Sequence, residues 1–407
     1  MTACSDGQAR LSTTMIYLDS NATTQVHPDV LDAMMPYLTD NWHNPSSGYR
    51  AAKRVREAID LAHEQVAALI NASAEEIVMT GCGTESNNAA LAFLANQHRD
   101  TNKIVTSAIE HSAILRYVDA LVDSDGMTVE HVGVDTGGRL DLDAYQAALN
   151  GAAMVSIMWA NNETGVIQPI DEASALARKA GIPFHTDAIQ AVGKTPIDVQ
   201  QTPVDFLSIS GHKFHAPKGV GALYIRSGMR FEPMLRGGGQ EGGRRSGTEN
   251  VAGIVALGKA AELMKARLDD DNHAGIASLR DHMEDRLLAE IRGVNRNGSL
   301  EHRTANTSHL SFDGCEAAGL LILLDEYGVQ CSAGSACMTG KQQPSHVQTA
   351  MSISPTQAKS SLRLSLSIFS TRADVDTAVE AIQKAVSKLR SVQGNSGVGP
   401  VQVYTSD

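Results

Sequence analysis

Apolar residues recur at helical spacing early in the chain, at Val55, Ile59, Ala62, Val66 and Leu69, so residues 51–70 predict a helix with one buried face. Seven short runs then stand out: EIVMT, KIVTSAI, MTVEHVGV, AAMVSIMWA, IPFHTDA, DFLSISG and GALYIR. They are largely apolar and bounded by turn residues, and they read as strands. Between them ESNNAALAFLANQ, SAILRYVDALV, LDAYQAAL and DEASALARKAG return to the helical period. Strand and helix in alternation make βαβ units, which predicts an α/β domain on a mostly parallel, seven-stranded sheet covered on both faces.

The grammar changes after GTENVAGIVALGKAAELMKARL, residues 247–268, a long helix. AGIASLRDHMEDRLLAEI and ADVDTAVEAIQKAVSKL are amphipathic, the second with Val375, Ala378, Val379, Ile382, Val386 and Leu389 on one face. They flank strand-like SHLSF, VQCSA and SLRLSLS, which predicts a smaller α+β domain. Residues 391–407, rich in Gly, Ser and Val, predict a poorly ordered tail.

Of 407 residues, 42% are hydrophobic and 20% charged, a balance that allows a large core and argues against overall disorder. The net charge of -12, without clustered Lys and Arg, disfavours a nucleic-acid surface and points to a small solute. There is no apolar run of membrane-spanning length and no secretory leader, so the expected location is cytoplasmic. Cys4, Cys82, Cys315, Cys331 and Cys337 are odd in number and irregular in spacing. They indicate neither a disulfide framework nor a metal site, and a cysteine with a role is a free thiol.

In an open α/β sheet, ligands bind beyond the carboxyl ends of the strands. After EIVMT comes GCGTESNN, a phosphate cradle or simply a helix cap. After the later strands come Glu110-His111, Asn161-Asn162-Glu163, Asp187 with Gln190, and Gly211-His212-Lys213. Taken singly, each reads as a solvated loop rather than a site. Taken together, they are an amine for an aldehyde, a carboxylate for a pyridine nitrogen, and amides and hydroxyls for a phosphate, which are the needs of pyridoxal 5'-phosphate. Lys213 follows its strand directly, whereas Lys218 sits behind Pro217 in a turn, so Lys213 is the chosen amine.

From YLDSNATT through HNPSS, GCGTESNN, IEHSAIL, MWANNETG, FHTDAIQAVGK, SGHKFHAPKGVG, GGGQEGGRRSGTEN, CSAGSACMTG and PSHV to SSLRLSLS, the chain resembles the cysteine desulfurases of the NifS/IscS type. These are pyridoxal phosphate enzymes of the aspartate aminotransferase-like fold type I. CGTES, MWANNETG, HTDAIQAVGK, HKFHAPKGVG and RRSGTEN resemble the nitrogenase-associated NifS branch more than the IscS branch. The resemblance implies a large cofactor-binding domain at residues 23–262 and a small domain at residues 15–22 and 263–390 that carries the cysteine loop. Residues 1–14 become a disordered extension.

The same resemblance implies roles. Lys213 forms the Schiff base, Asp187 pairs with the pyridinium, Gln190 contacts the phenolic oxygen, and His111 stacks on the ring and moves protons. Gly83, Thr84, Ser210 and His212 hold the phosphate, with Thr248 reaching in from the second subunit of a homodimer. Arg363 grips the substrate carboxylate, assisted by Asn162, which also counts among the cofactor contacts. Cys337 matches the catalytic cysteine, and SAGSACMTGKQQPS, lacking a core pattern, reads as an exposed, mobile loop in which a thiol is reactive. Cys331 reads as packing.

The implied reaction converts L-cysteine to L-alanine and leaves a persulfide on Cys337. That sulfur would supply iron-sulfur cluster assembly through a NifU/IscU-like scaffold, with nitrogen fixation as one destination. Selenocysteine lyase or another pyridoxal phosphate reaction is the alternative enzyme. A non-catalytic sulfur carrier is the alternative from another class. Two positions depart from the family: Ser20, where Asn is common, and Ile368, where Arg is frequent.

Overall fold

The computed structural model describes residues 15–97, 101–270, 273–333 and 344–396. A two-residue strand, β1 (Ile16–Tyr17), precedes the seven strands of the large sheet: β2 (Ile77–Thr80), β3 (Lys103–Ser107), β4 (Thr128–Val132), β5 (Ala152–Ser156), β6 (Phe184–Asp187), β7 (Phe206–Ser210) and β8 (Gly221–Ile225). Their order is β2-β8-β7-β6-β5-β3-β4. β8 runs antiparallel to both neighbours, and the remaining pairs are parallel. Every residue of β5, β6, β7 and β8 is buried, because helices cover both faces. Edge strand β4 is mostly exposed and carries Glu130 and His131, polar residues that discourage pairing with another chain.

Helices Gly83–Gln97 and Ser112–Asp125 pack on one face, where Leu91, Leu94, Ile114 and Val118 meet Val78, Ile104 and Phe206. Helices Arg50–Leu69 and Val251–Asp269 belong to the core on the other face, through Ile59, Val66, Leu257 and Ala261. At Gly258 a Cβ would stand 2.7 Å from the Ala62 Cα, so the two backbones approach as closely as this pair of small residues allows.

A second sheet of β9 (Val294–Arg296), β10 (Thr307–Phe312) and β12 (Ser361–Ser365) is antiparallel in the order β12-β10-β9. β1 pairs in parallel with β11 (Val329–Gln330). Helices His273–Glu290, Ala317–Glu326 and Arg372–Ser396 enclose a separate core with Leu18, Phe312 and Leu364 at its centre.

The predicted strands fall on their apolar runs, with β1 and β9 in addition, and other features also differ from expectation. Helices Pro28–Met34 and Ala317–Glu326 are additional; the second is an apolar stretch, AAGLLILLDE, with too narrow a polar face to announce its period. Helix Val251–Asp269 stays in the large core as far as Met264, past the expected boundary at 262. The last helix runs on to Ser396, so residues 391–396 are not part of an irregular tail. Gly394 costs a helix about 1 kcal/mol, which the twenty-five-residue helix tolerates. No described helix is long and apolar enough to cross a membrane.

Candidate active site

Parallel strands bring their carboxyl ends to one edge of the sheet. β2 shares that edge because antiparallel β8 separates it from β7. A cavity of about 410 Å³ opens there, lined by Gly83, Thr84, His111, Asn162, Asp187, Gln190, Ser210, His212, Lys213 and Arg363. All of these were singled out in the sequence. Asn21, Ala22, Cys82, Met158 and Ile189 complete the wall. Thr248 lies exposed, outside the lining of this cavity, and Cys337 falls outside the described residues.

Lys213 ends the short turn Gly211–Lys213 that follows β7. Its Nζ donates to the carbonyls of Asn21 (2.8 Å) and Ala22 (2.9 Å). Desolvation pushes its pKa down to about 8, helped by the Arg363 cation and opposed by Asp187 and Asp19. Lys218 is exposed and does not line this cavity.

Asp187 closes β6 and is 4% exposed. Its Oδ2 accepts from Asn87 Nδ2 at 2.8 Å and its Oδ1 from the Ile189 amide at 3.1 Å. No cation among the described residues forms an ion pair with it. A buried carboxylate held only by neutral donors calls for a positive partner. Opposite it, His111 caps helix Ser112–Asp125, its Nδ1 accepting from the Ala113 amide at 3.1 Å. The neutral ring therefore carries its proton on Nε2. Desolvation lowers the His111 pKa; Asp187 works against this, while Lys213 and His346 add to it.

One end of the cavity is the start of helix Gly83–Gln97, with Ser210 at the end of β7 and His212 in the turn after it. Desolvation pushes His212 down to about 4, aided by Lys213, Lys218 and Lys194, so its ring is neutral and an Nδ1 lies 3.2 Å from Thr23 Oγ1. At the other end Arg363, 6% exposed, donates from Nη2 to Asp19 Oδ1 (2.7 Å) and from Nη1 to the Asn162 carbonyl (3.0 Å). Its Nε is buried without a partner among the described residues. An unmatched buried N–H is rare in a folded protein and suits a ligand oxygen.

Sequence reasoning missed the supporting residues. Asn21 and Asn87 are 2% and 0% exposed, and both sit inside motifs whose other members drew the attention. Asn87 had a signal, since four residues after Gly83 is one helical turn and the same side. Glu110 and Glu163 are pushed up to about 8 and about 7, mainly by burial. Their place directly after strands was visible, but their depth was not.

An amine of lowered pKa, an uncompensated carboxylate, a helix N-terminus with hydroxyls and a cavity that joins them are a donor set that fits pyridoxal phosphate. Fold and site thus define a class, and the comparisons name it: the class-V aminotransferase family matches residues 16–378, and the chain belongs to that family of pyridoxal phosphate enzymes. Within it the chain belongs with the cysteine desulfurases. It is 46% identical to a cysteine desulfurase of Nostoc sp., over 93% of this chain and 94% of that one. It is 43% identical to the cysteine desulfurase NifS of Azotobacter vinelandii, over 95% and 96%. A solved NifS-like protein superposes with a TM-score of 0.86 at 34% identity, covering 92% of this chain and all of the other.

Proposed function

We propose that the protein is a pyridoxal 5'-phosphate-dependent cysteine desulfurase that converts L-cysteine to L-alanine and keeps the sulfur as a persulfide on Cys337. The observation that carries the reading is the meeting of Lys213, Asp187 and Arg363 in one cavity.

When bound, the cofactor supplies a pyridinium that takes up negative charge from the substrate Cα. Asp187, oriented by Asn87 and the Ile189 amide, holds the proton on the ring nitrogen. Gly83, Thr84, Ser210 and His212 hold the phosphate, joined by the partner subunit's Thr248 in a homodimer, and Gln190 faces the phenolic oxygen. Lys213, with its pKa near 8, offers far more free amine at neutral pH than an ordinary lysine. It would be the group that holds the aldehyde, and it would carry protons there. Arg363 takes the substrate carboxylate through its unused N–H, beside Asn162. His111 would lie against the ring, and its neutral imidazole holds a proton at Nε2.

The chain on both sides of Cys337 is tied to this site. Ser332 pairs with Arg363 through the backbone, Ser345 Oγ donates to Glu163 Oε1 at 2.8 Å, and His346 Nε2 lies 2.9 Å from the Glu110 carbonyl. Cys337 stands four residues after Ala333 in the sequence, which supports giving its thiol the sulfur-accepting role here. The Cys337 thiolate takes the substrate sulfur: an S–S bond forms, and the substrate C–S bond breaks with its electron pair on carbon. A proton delivered by His111 or Lys213 completes alanine.

In this reading the cofactor domain runs from residue 23 through helix Val251–Asp269, which stays in the large core, and residues 15–22 with the chain from helix His273–Glu290 onward form the domain that presents Cys337. The persulfide supplies iron-sulfur cluster assembly through a NifU/IscU-like scaffold in the cytoplasm, nitrogenase maturation being one use. The test is Cys337→Ala. The variant is expected to retain the blue-violet absorbance of bound cofactor and lose alanine and sulfide production. A colourless unsubstituted protein in the presence of the cofactor, or an active variant, would refute the proposal.

A further inference from the structure

Lys194 is a second amine beside the site, and the reaction described above gives it no task. Its Nζ donates to Gln190 Oε1 at 2.6 Å and to Asn21 Oδ1 at 3.0 Å. No carboxylate among the described residues forms an ion pair with it. Desolvation, with Lys213 and Arg363 nearby, holds its pKa well below the usual lysine range. These two contacts each use one N–H of the amine.

Both acceptors are side-chain amide oxygens, and an amide whose oxygen is engaged must point its NH₂ group elsewhere. Asn21 Nδ2 turns to the Asn162 carbonyl (3.3 Å) and to Thr307 Oγ1 (2.9 Å). Gln190 Nε2 turns to the Asn21 carbonyl at 2.9 Å, the same oxygen that accepts from Lys213. That leaves one Gln190 N–H for the cavity, which the side chain lines. Gln190 is 6% exposed. Without Lys194 its Oε1 would be a buried acceptor with nothing to accept from, and the amide would be driven to turn that oxygen toward the cavity.

We propose that Lys194 is a positioning residue that locks the Gln190 amide so that the cavity meets an N–H donor instead of a carbonyl oxygen. The ligand atom it serves is an anionic oxygen of the bound cofactor, so the inference rests on the cofactor reading above. A donor stabilises such an anion and lowers its pKa; a carbonyl facing it would raise it.

The experiment is a pH titration of the visible band of the holoenzyme, with cofactor affinity measured on the apoprotein by equilibrium titration with pyridoxal phosphate. In Lys194→Met the midpoint of the band is expected to rise by about one pH unit, roughly tenfold in the proton equilibrium, with weaker cofactor binding. Lys194→Gln, which keeps an N–H donor, is expected to restore part of the shift. In a Gln190→Leu background Lys194→Met is expected to add nothing, because the two act as one unit. An unmoved midpoint in Lys194→Met, equal shifts in the Met and Gln variants, or the full shift persisting without Gln190 would each overturn the inference alone. Absence of the band from the unsubstituted protein would overturn the cofactor reading, and this inference with it.

Discussion

A lysine amine attacks an aldehyde only when it is uncharged. At Lys213 the desolvated ammonium is disfavoured and the Arg363 cation adds to the penalty, so the pKa falls to about 8. Below that pH the ammonium dominates, and above it the free amine does. Capture of pyridoxal phosphate by the apoprotein is therefore expected to accelerate up to about pH 8 and then level off. Stopped-flow absorbance would show this, and a rate still climbing toward the range of ordinary lysines would contradict it. Lys213, Asp187 and His111 were legible in the sequence because each stands at or just past the end of a recognisable strand, and topology makes that place a rim. Asn21 and Asn87 were not. Asn21 meets Lys213 across 192 positions and Asn87 meets Asp187 across 100, and no local pattern encodes pairings at such separations.

Among the elements, β8 bears the tightest constraint. Its first residue, Gly221, pairs with Thr80 on one side and Ser210 on the other. A Cβ there would stand 2.6 Å from the Ile209 carbonyl oxygen and 3.0 Å from the Cys82 carbonyl carbon. Both obstacles are backbone, so Gly221→Ala must either part β8 from β7 or lift the turn that leads into Gly83. The expected loss is roughly 1–3 kcal/mol of stability, typical of overpacking, together with weaker retention of the cofactor's phosphate. Urea denaturation and cofactor titration would measure the two effects, and an unchanged urea midpoint would count against the packing argument. The strands themselves were readable, because burial on both faces leaves long apolar runs between turn residues. Helix Ala317–Glu326 escaped for the opposite reason, its apolar residues being too continuous to show a face.

For the molecule as a whole, buried ionisable groups set how stability varies with pH. His185 and His309 are pushed down to about 3, and His212 and His215 to about 4, from an ordinary 6.5, in each case chiefly by desolvation. Between those values the unfolded chain binds more protons than the folded one, so stability rises with pH. Glu110 and Glu163 run the other way. They are raised from 4.5 to about 8 and about 7, so the folded state holds protons that the unfolded chain has lost, and stability falls as pH climbs through that window. The four histidines outweigh the two glutamates up to about pH 6.5; beyond it the glutamates pull stability down, while Lys194 and Lys213, both held below the usual lysine range, bind fewer protons folded than unfolded and pull it up. The thermal midpoint of the apoprotein is expected to climb to about pH 6.5 and to change little from there to pH 8, and Glu110→Gln, which removes one opposing group, is expected to let the climb continue. An unchanged profile in that variant would assign the levelling to other groups. The division into two cores could be read from the change of pattern after residue 268, whereas the titration behaviour could not, since it depends on depth.

Asn21 also ties the molecule together in time. Its backbone amide donates to Ser365 Oγ at 3.0 Å and its side chain to Thr307 Oγ1, while its carbonyl receives the Lys213 amine. A ribosome makes this asparagine more than three hundred residues before it makes Ser365. A half-finished chain accordingly has no complete seat for the Lys213 amine, and on the proposed reading its loading with a vitamin-derived aldehyde waits until translation is nearly over.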